Sequence, residues 1–232
     1  MRKNLPTFSL AAHDETEESG FRVFTNVNDD GAVDLMVMDI IGDDFYGDGI
    51  TAKSVAAFLA ANVTRDVNVR INSMGGDAYQ GLTIYNSLAN HPGKVTVTIE
   101  GLAYSAASLI AMAGDEIRMH EASDIGIHRA ATVRFGNSKT FAATLEWLNT
   151  LDGHLQEIYS ARTGMDAKTI EAYLDGTDDG TLFNARDAVK LGFADTIIPL
   201  KQSVKNTQPS SAAFRTFNEA GLARLRRSRN RA

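Results

Sequence analysis

Apolar positions along this chain come in two rhythms, and the rhythms alternate. Val67, Val69 and Ile71 alternate with Asn68 and Arg70. That period predicts a strand over 66–71 with one face less fully covered than a central parallel strand has. Comparable apolar runs predict strands over 21–25, 35–41, 94–99, 116–119, 125–127 and 194–198. Between them the period lengthens to three and four. Thr51 is placed to cap a helix running through Val55, Phe58 and Leu59 to about residue 62. Further helices are expected over 78–90, from the small residues after Ser105 to Ala113, and over 166–174 and 185–191. Phe141, Leu145, Leu148, Leu151, Leu155, Ile158 and Tyr159 mark one long helix over 138–162, about 36 Å in length.

Strand and helix in alternation predict an α/β fold with right-handed crossovers and a largely parallel sheet. Sites in such sheets lie beyond the carboxyl ends of the strands. Gly75-Gly76, Ser105 and His128 all fall there. Ser105 sits in Gly101-Leu102-Ala103-Tyr104-Ser105-Ala106-Ala107-Ser108, where a strand runs into a small-residue helix. A serine on such a turn has access, nearby backbone N–H donors and a positive helix end behind it. The plainer reading is that Ser105 only caps the helix. Gly75-Gly76 is either a simple turn or a backbone that an oxyanion can approach closely. His128 ends a buried strand; the other four histidines lie in a leader, a helix end, a turn and the long helix. None of them has metal-ligand spacing, so no metal and no cofactor is expected. A serine, a histidine and acids in a later loop form a candidate nucleophile, base and orienting carboxylate.

Composition narrows the class. Hydrophobic residues make up 44% and charged residues 22% of the 232, which reads as a globular, soluble chain. No apolar run is long enough to span a membrane, and the first residues lack the apolar core of a secretory signal. The absence of cysteine removes disulfides, thiol nucleophiles and thiolate metal sites. Charge is uneven. Of 23 basic and 29 acidic residues, 201–232 hold eight and one, leaving 15 against 28 in 1–200. An acidic body gives no ground for binding nucleic acid through this domain. The expected organisation is a flexible leader over 1–20, one domain over 21–200 and a basic, disordered tail over 201–232.

Four ordered motifs carry a resemblance. They are Ile71-Asn72-Ser73-Met74-Gly75-Gly76-Asp77, the 101–108 stretch with Ala113-Gly114 behind it, Ile127-His128, and Phe183-Asn184-Ala185-Arg186-Asp187-Ala188 with Gly192-Phe193-Ala194-Asp195. Over about residues 35–198 the chain resembles the proteolytic subunit of the Clp protease family, a serine peptidase family. It looks most like the Clp-like head-maturation (prohead) proteases of tailed phages.

The resemblance implies a Clp/crotonase-like spiral of ββα units with the long helix as a projecting handle. It implies Ser105 as nucleophile, His128 as general base, and N–H groups of Gly75, Gly76 and Ala106 as oxyanion hole. Ser108 is the rival nucleophile, one turn further into the helix. The acid of the family's pattern falls on Gly180, so the expectation moves to the adjacent Asp179, with Asp178 as the alternative. Met74 stands where the Clp subunits usually have proline. Implied partners are protein substrates, among them phage scaffold, portal or capsid segments, and further copies in a heptameric ring or double ring. The implied setting is the host cytoplasm or procapsid, or the bacterial cytoplasm for a prophage-encoded chain. Two other functions fit the same fold: a crotonase-like acyl-CoA enzyme and a catalytically inactive ring or scaffold component.

Overall fold

A strand over Val33–Val37 (β1) opens the described chain, and its buried residues alternate with half-buried ones. The computed structural model describes residues 31–42, 49–177 and 180–201. The leader, the expected strand over 21–25 and all of the tail but Lys201 lie outside them. The chain divides into two units, Met1–Pro199 and Leu200–Ala232, and the elements below belong to the first.

Next come α1 (Ala52–Ala61), β2 (Val67–Ser73), α2 (Ala78–Ala89) and β3 (Val95–Tyr104). They lead to α3 (Ala106–Ala111), β4 (Glu116–His120) and β5 (Asp124–Ile127). The chain continues as α4 (Ser138–Thr163), α5 (Ala167–Asp175), β6 (Thr181–Asn184), α6 (Ala185–Leu191) and β7 (Thr196–Ile198). The sheet runs β1-β2-β3-β4-β7 with parallel pairing throughout. β5 pairs parallel with β3 and antiparallel with β6.

Thr51 caps α1 as expected, and Ser54 returns the bond to complete a capping box. The β2 alternation also holds. Val67, Val69 and Ile71 are fully buried, each worth roughly 1.5–3 kcal/mol against exposure. Asn68 and Arg70 face the opposite side, where they pair across strands with Asp34 and Glu100. The long helix ends one residue beyond its expected bound, at a left-handed Gly164. Its buried residues are Leu151, Leu155 and Tyr159, whereas Phe141 and Leu145 are more than half exposed. The first half of α4 therefore runs clear of the domain core.

Two expectations needed adjustment. The strand expected over 35–41 ends at Val37, because the chain beyond it turns to serve the site. Asp39 takes the Ile40 N–H on its own carboxylate (2.8 Å), and Ile41 bridges to both Ile50 and Gly76. β3, expected to stop near Ile99, runs on to Tyr104. Its first half pairs with β4 over Thr96–Ile99, and its second half pairs with β5 over Leu102–Tyr104. An irregularity opposite, between Ile71 and Ser73 of β2, lets Asn72 Oδ1 accept the Leu102 N–H (3.1 Å). One strand thus reaches from the core to the residue before Ser105.

Candidate active site

Ser105 follows the last residue of β3 and precedes the first of α3. Its backbone sits at φ 56°, ψ −127°, and it is the one non-glycine residue with positive φ among the described residues. Holding an L-residue there costs on the order of 1–3 kcal/mol, which the surroundings must offset. The Ser105 N–H extends the β3–β5 ladder to the Gly126 carbonyl (3.0 Å). Its side chain makes no capping hydrogen bond. The plain helix-cap reading therefore fails: the hydroxyl is not spent on the helix, and Ser105 lines a cleft.

That cleft has a volume of about 420 Å³. Ser105, Ala106 and His128 line it together with Tyr104, Gly76 and Met74. The size falls in the usual range for substrate pockets. Tyr79 of α2 and Trp147 of α4 form another part of the wall, with the Trp147 indole N–H donating to the Tyr79 hydroxyl (3.0 Å).

His128 lies one residue past β5, and its Nδ1 is buried. The ring stacks on Tyr104, with centroids 5.1 Å apart and planes 13° from parallel. Gly126 makes this possible, since a Cβ there would stand 2.2 Å from a Tyr104 ring carbon. On its other side His128 meets Gly180, where an added Cβ would lie 2.4 Å from the histidine Cβ. Gly180 is also held at φ 88°. The position where the family's pattern puts an acid is thus packed against the histidine backbone with no room for any side chain. Asp178 and Asp179 lie outside the described residues.

Gly75 and Gly76 follow β2 with φ of 90° and 149°, a region that favours glycine. A Cβ on Gly75 would stand 2.7 Å from Ser105 Cβ and 2.8 Å from the Ala106 nitrogen. The two turns are therefore in direct contact. The Gly75 N–H donates to Ser73 Oγ (3.1 Å), and the Gly75 carbonyl accepts from Ile41. Among the described residues, the N–H groups of Gly76 and Ala106 have no acceptor. Of the three groups expected to hold an oxyanion, two are thus available and one is engaged.

Ser108, the rival nucleophile, is fully buried. Its hydroxyl donates to the Ser105 carbonyl (2.6 Å) and lies 2.7 Å from the Tyr159 hydroxyl. Because the Ser108 hydrogen goes to the Ser105 carbonyl, the Tyr159 hydroxyl is the donor to Ser108, and burial keeps that phenol above its ordinary pKa. Ser108 is a structural brace under the Ser105 turn.

The stacked Tyr104, the Tyr79–Trp147 pair and Arg129 were not read from the sequence. Arg129 follows His128 and donates to Asp175 (2.5 Å), Asp152 (3.0 Å) and Glu171 (3.0 Å). These carboxylates hold the guanidinium even more firmly charged than usual. The partners lie 23 to 46 residues away, so no local pattern announces them. No helix among the described residues is long and apolar enough to cross a membrane.

Similarity to known proteins extends over most of the chain. The ATP-dependent Clp protease proteolytic subunit of Ligilactobacillus salivarius is 28% identical over 174 residues, 74% of this chain and 85% of the relative. Among solved structures, a ClpP1 mutant from Listeria monocytogenes matches with a TM-score of 0.61 at 18% identity. That match covers 72% of this chain and 92% of the other, and it bears on the fold alone. The family model for Clp protease matches residues 32–201. A match that runs from the residue before β1 to beyond β7 covers well over half of the 232 residues, and the chain belongs to the Clp protease family.

Proposed function

We propose that this chain is a serine endopeptidase that hydrolyses peptide bonds through an acyl-enzyme on Ser105. The observation that carries the reading is the Ser105 turn: a strained, uncapped serine that lines a cleft together with His128. His128 takes the hydroxyl proton as Oγ attacks the scissile carbonyl, then returns it to the leaving amine. The N–H groups of Gly76 and Ala106 receive the oxyanion, and Gly75 sets their spacing by packing on the Ser105 turn. Asp179, or Asp178 beside it, orients the imidazole. A carboxylate at either position precedes Gly180, which packs against His128.

Assembly into rings follows from the family reading, and the exposed Phe141 and Leu145 on the first half of α4 support it as a contact between copies. Maturation of phage heads, with scaffold, portal or capsid segments as substrates, is the narrower reading; it rests on the sequence motifs, including Met74 in place of proline.

A fluorophosphonate probe applied to the full chain tests the central claim. Labelling is expected in the wild type and in Ser108→Ala, and is expected to vanish in Ser105→Ala. Labelling that persists in Ser105→Ala overturns the assignment.

A further inference from the structure

One guanidinium gathers three carboxylates from two helices directly behind the candidate base. Arg129 Nη1 donates to Asp152 of α4, Nη2 to Glu171 of α5, and Nε to Asp175, the last residue of α5. Asp152 also accepts the Ala130 N–H (2.7 Å), so the two residues after His128 are both tied to α4. Asp175 leads into Gly176, whose backbone bridges Gly180. The Gly180 N–H reaches back to the Asp175 carbonyl (3.4 Å), and Gly180 itself packs on His128. A closed circuit results: His128, Arg129, Asp175, Gly180 and back to His128.

We infer that Arg129 is a positioning residue, which fixes His128 against Asp175 and the Gly176–Gly180 bridge that packs on it. The inference rests on the serine peptidase reading. Arg129 lines the cleft, but three of its five N–H donors go to carboxylates of its own chain, and those three negative charges offset its own, which ties the group to the protein rather than to a substrate. Its pairs with Glu171 and Asp175, which are 51% and 54% exposed, contribute little to folding, whereas Asp152 is only 12% exposed and is left without its partner when Arg129 is removed. What a guanidinium offers there is geometry: a rigid planar fork that binds several carboxylates at set angles, which a lysine ammonium cannot reproduce.

The test uses the full chain and measures probe labelling rate, kcat and KM for a fluorogenic peptide, and thermal midpoint. For Arg129→Gln we expect kcat and labelling rate to fall about 10- to 100-fold, as a displacement near 1 Å does. KM stays within about twofold; the melting temperature falls by a few degrees through the mostly buried Asp152, so rates are compared at a temperature where both proteins are folded. Arg129→Lys keeps the charge without the fork and recovers less than half of the loss on a logarithmic scale. Wild-type kcat in Arg129→Gln, full recovery in Arg129→Lys, or a loss confined to KM overturns the inference. If Arg129→Gln does not fold, Asp175→Asn decides, with a kcat-selective loss expected and a wild-type kcat overturning it. A wild type that fails to label at Ser105 instead refutes the peptidase reading, so the two failures are distinct.

Discussion

Gly180 provides the sharpest test of how the base is placed. The family's pattern puts an acid at this position, which makes Gly180→Asp look like a repair. The structure says the opposite. At Gly180 an added Cβ would stand 2.2 Å from the Ile127 carbonyl oxygen and 2.4 Å from His128 Cβ. Both neighbours belong to the strand end that carries the base, and the carbonyl is backbone that no side-chain rotation can move aside. An ordinary contact requires roughly 1 Å more, so His128 or the turn must shift by about that amount. The left-handed φ of 88° adds about 1–2 kcal/mol for any L-residue. With the overlap, at about 1–3 kcal/mol, the cost to folding is about 2–5 kcal/mol. For a domain of this size each kcal/mol lowers the melting temperature by about 2–4 °C, so a drop of roughly 5–20 °C is expected. Displacement of the base by about 1 Å should slow acylation on the order of 100-fold. Gly180→Ala separates the steric effect from charge, and Gly153→Ala is the control, because a Cβ at that helical position meets nothing within 4 Å. The assay pairs thermal unfolding with the rate of fluorophosphonate labelling. Wild-type melting and labelling in Gly180→Ala, or faster labelling in Gly180→Asp, would refute the packing argument.

Two further outcomes follow from the site's supports and from surface charge. Tyr159→Phe removes the donor to Ser108 while leaving the Ser108 bond to the Ser105 carbonyl. It should lower stability by about 0.5–1.5 kcal/mol and kcat by less than about threefold; a loss beyond tenfold at unchanged folding would show that the Tyr159 bond is needed to hold the Ser105 turn, against the small role expected of it. Hydrogen bonds from Arg118 first and Lys94 second push the Glu116 carboxyl from its ordinary 4.5 down to about 2. A folded pKa below the unfolded one means stabilisation that is fully present above about pH 4.5 and lost as pH falls toward 2. The melting-temperature gap between wild type and Glu116→Gln should therefore be constant near neutral pH and close as pH approaches 2. A gap that persists unchanged at pH 2 contradicts the pairing.

Legibility differed by element for physical reasons. The α4 pattern was clear because Leu151, Leu155 and Tyr159 must share one face to be buried, and a 3.6-residue period enforces that spacing. Of residues 181–184 only Phe183 and Asn184 were read, as the start of a motif. As β6 they form a strand of four residues with a half-buried, exposed, buried, exposed sequence, held by antiparallel pairing with β5 that no local pattern encodes. The second half of β3 was hidden for a similar reason. Gly101 breaks the apolar run, and it is the β5 partner that keeps Leu102–Tyr104 extended.

What the sequence determined by itself was the alternation of strand and helix, the long helix over 138–162 and the choice of Ser105, His128 and Gly75-Gly76 as candidate site residues. Local periodicity and local motif spacing suffice for those, because each depends on neighbours within a turn or a strand. Tertiary structure alone decided which roles are open to them. It buried Ser108 under Tyr159, engaged the Gly75 N–H with Ser73, stacked Tyr104 on His128 and packed Gly180 so closely on the His128 backbone that no side chain can replace it. It also drew Asp152, Glu171 and Asp175 onto Arg129. Each of these depends on segments brought together by the parallel crossovers, where distance along the chain carries no information about distance in space.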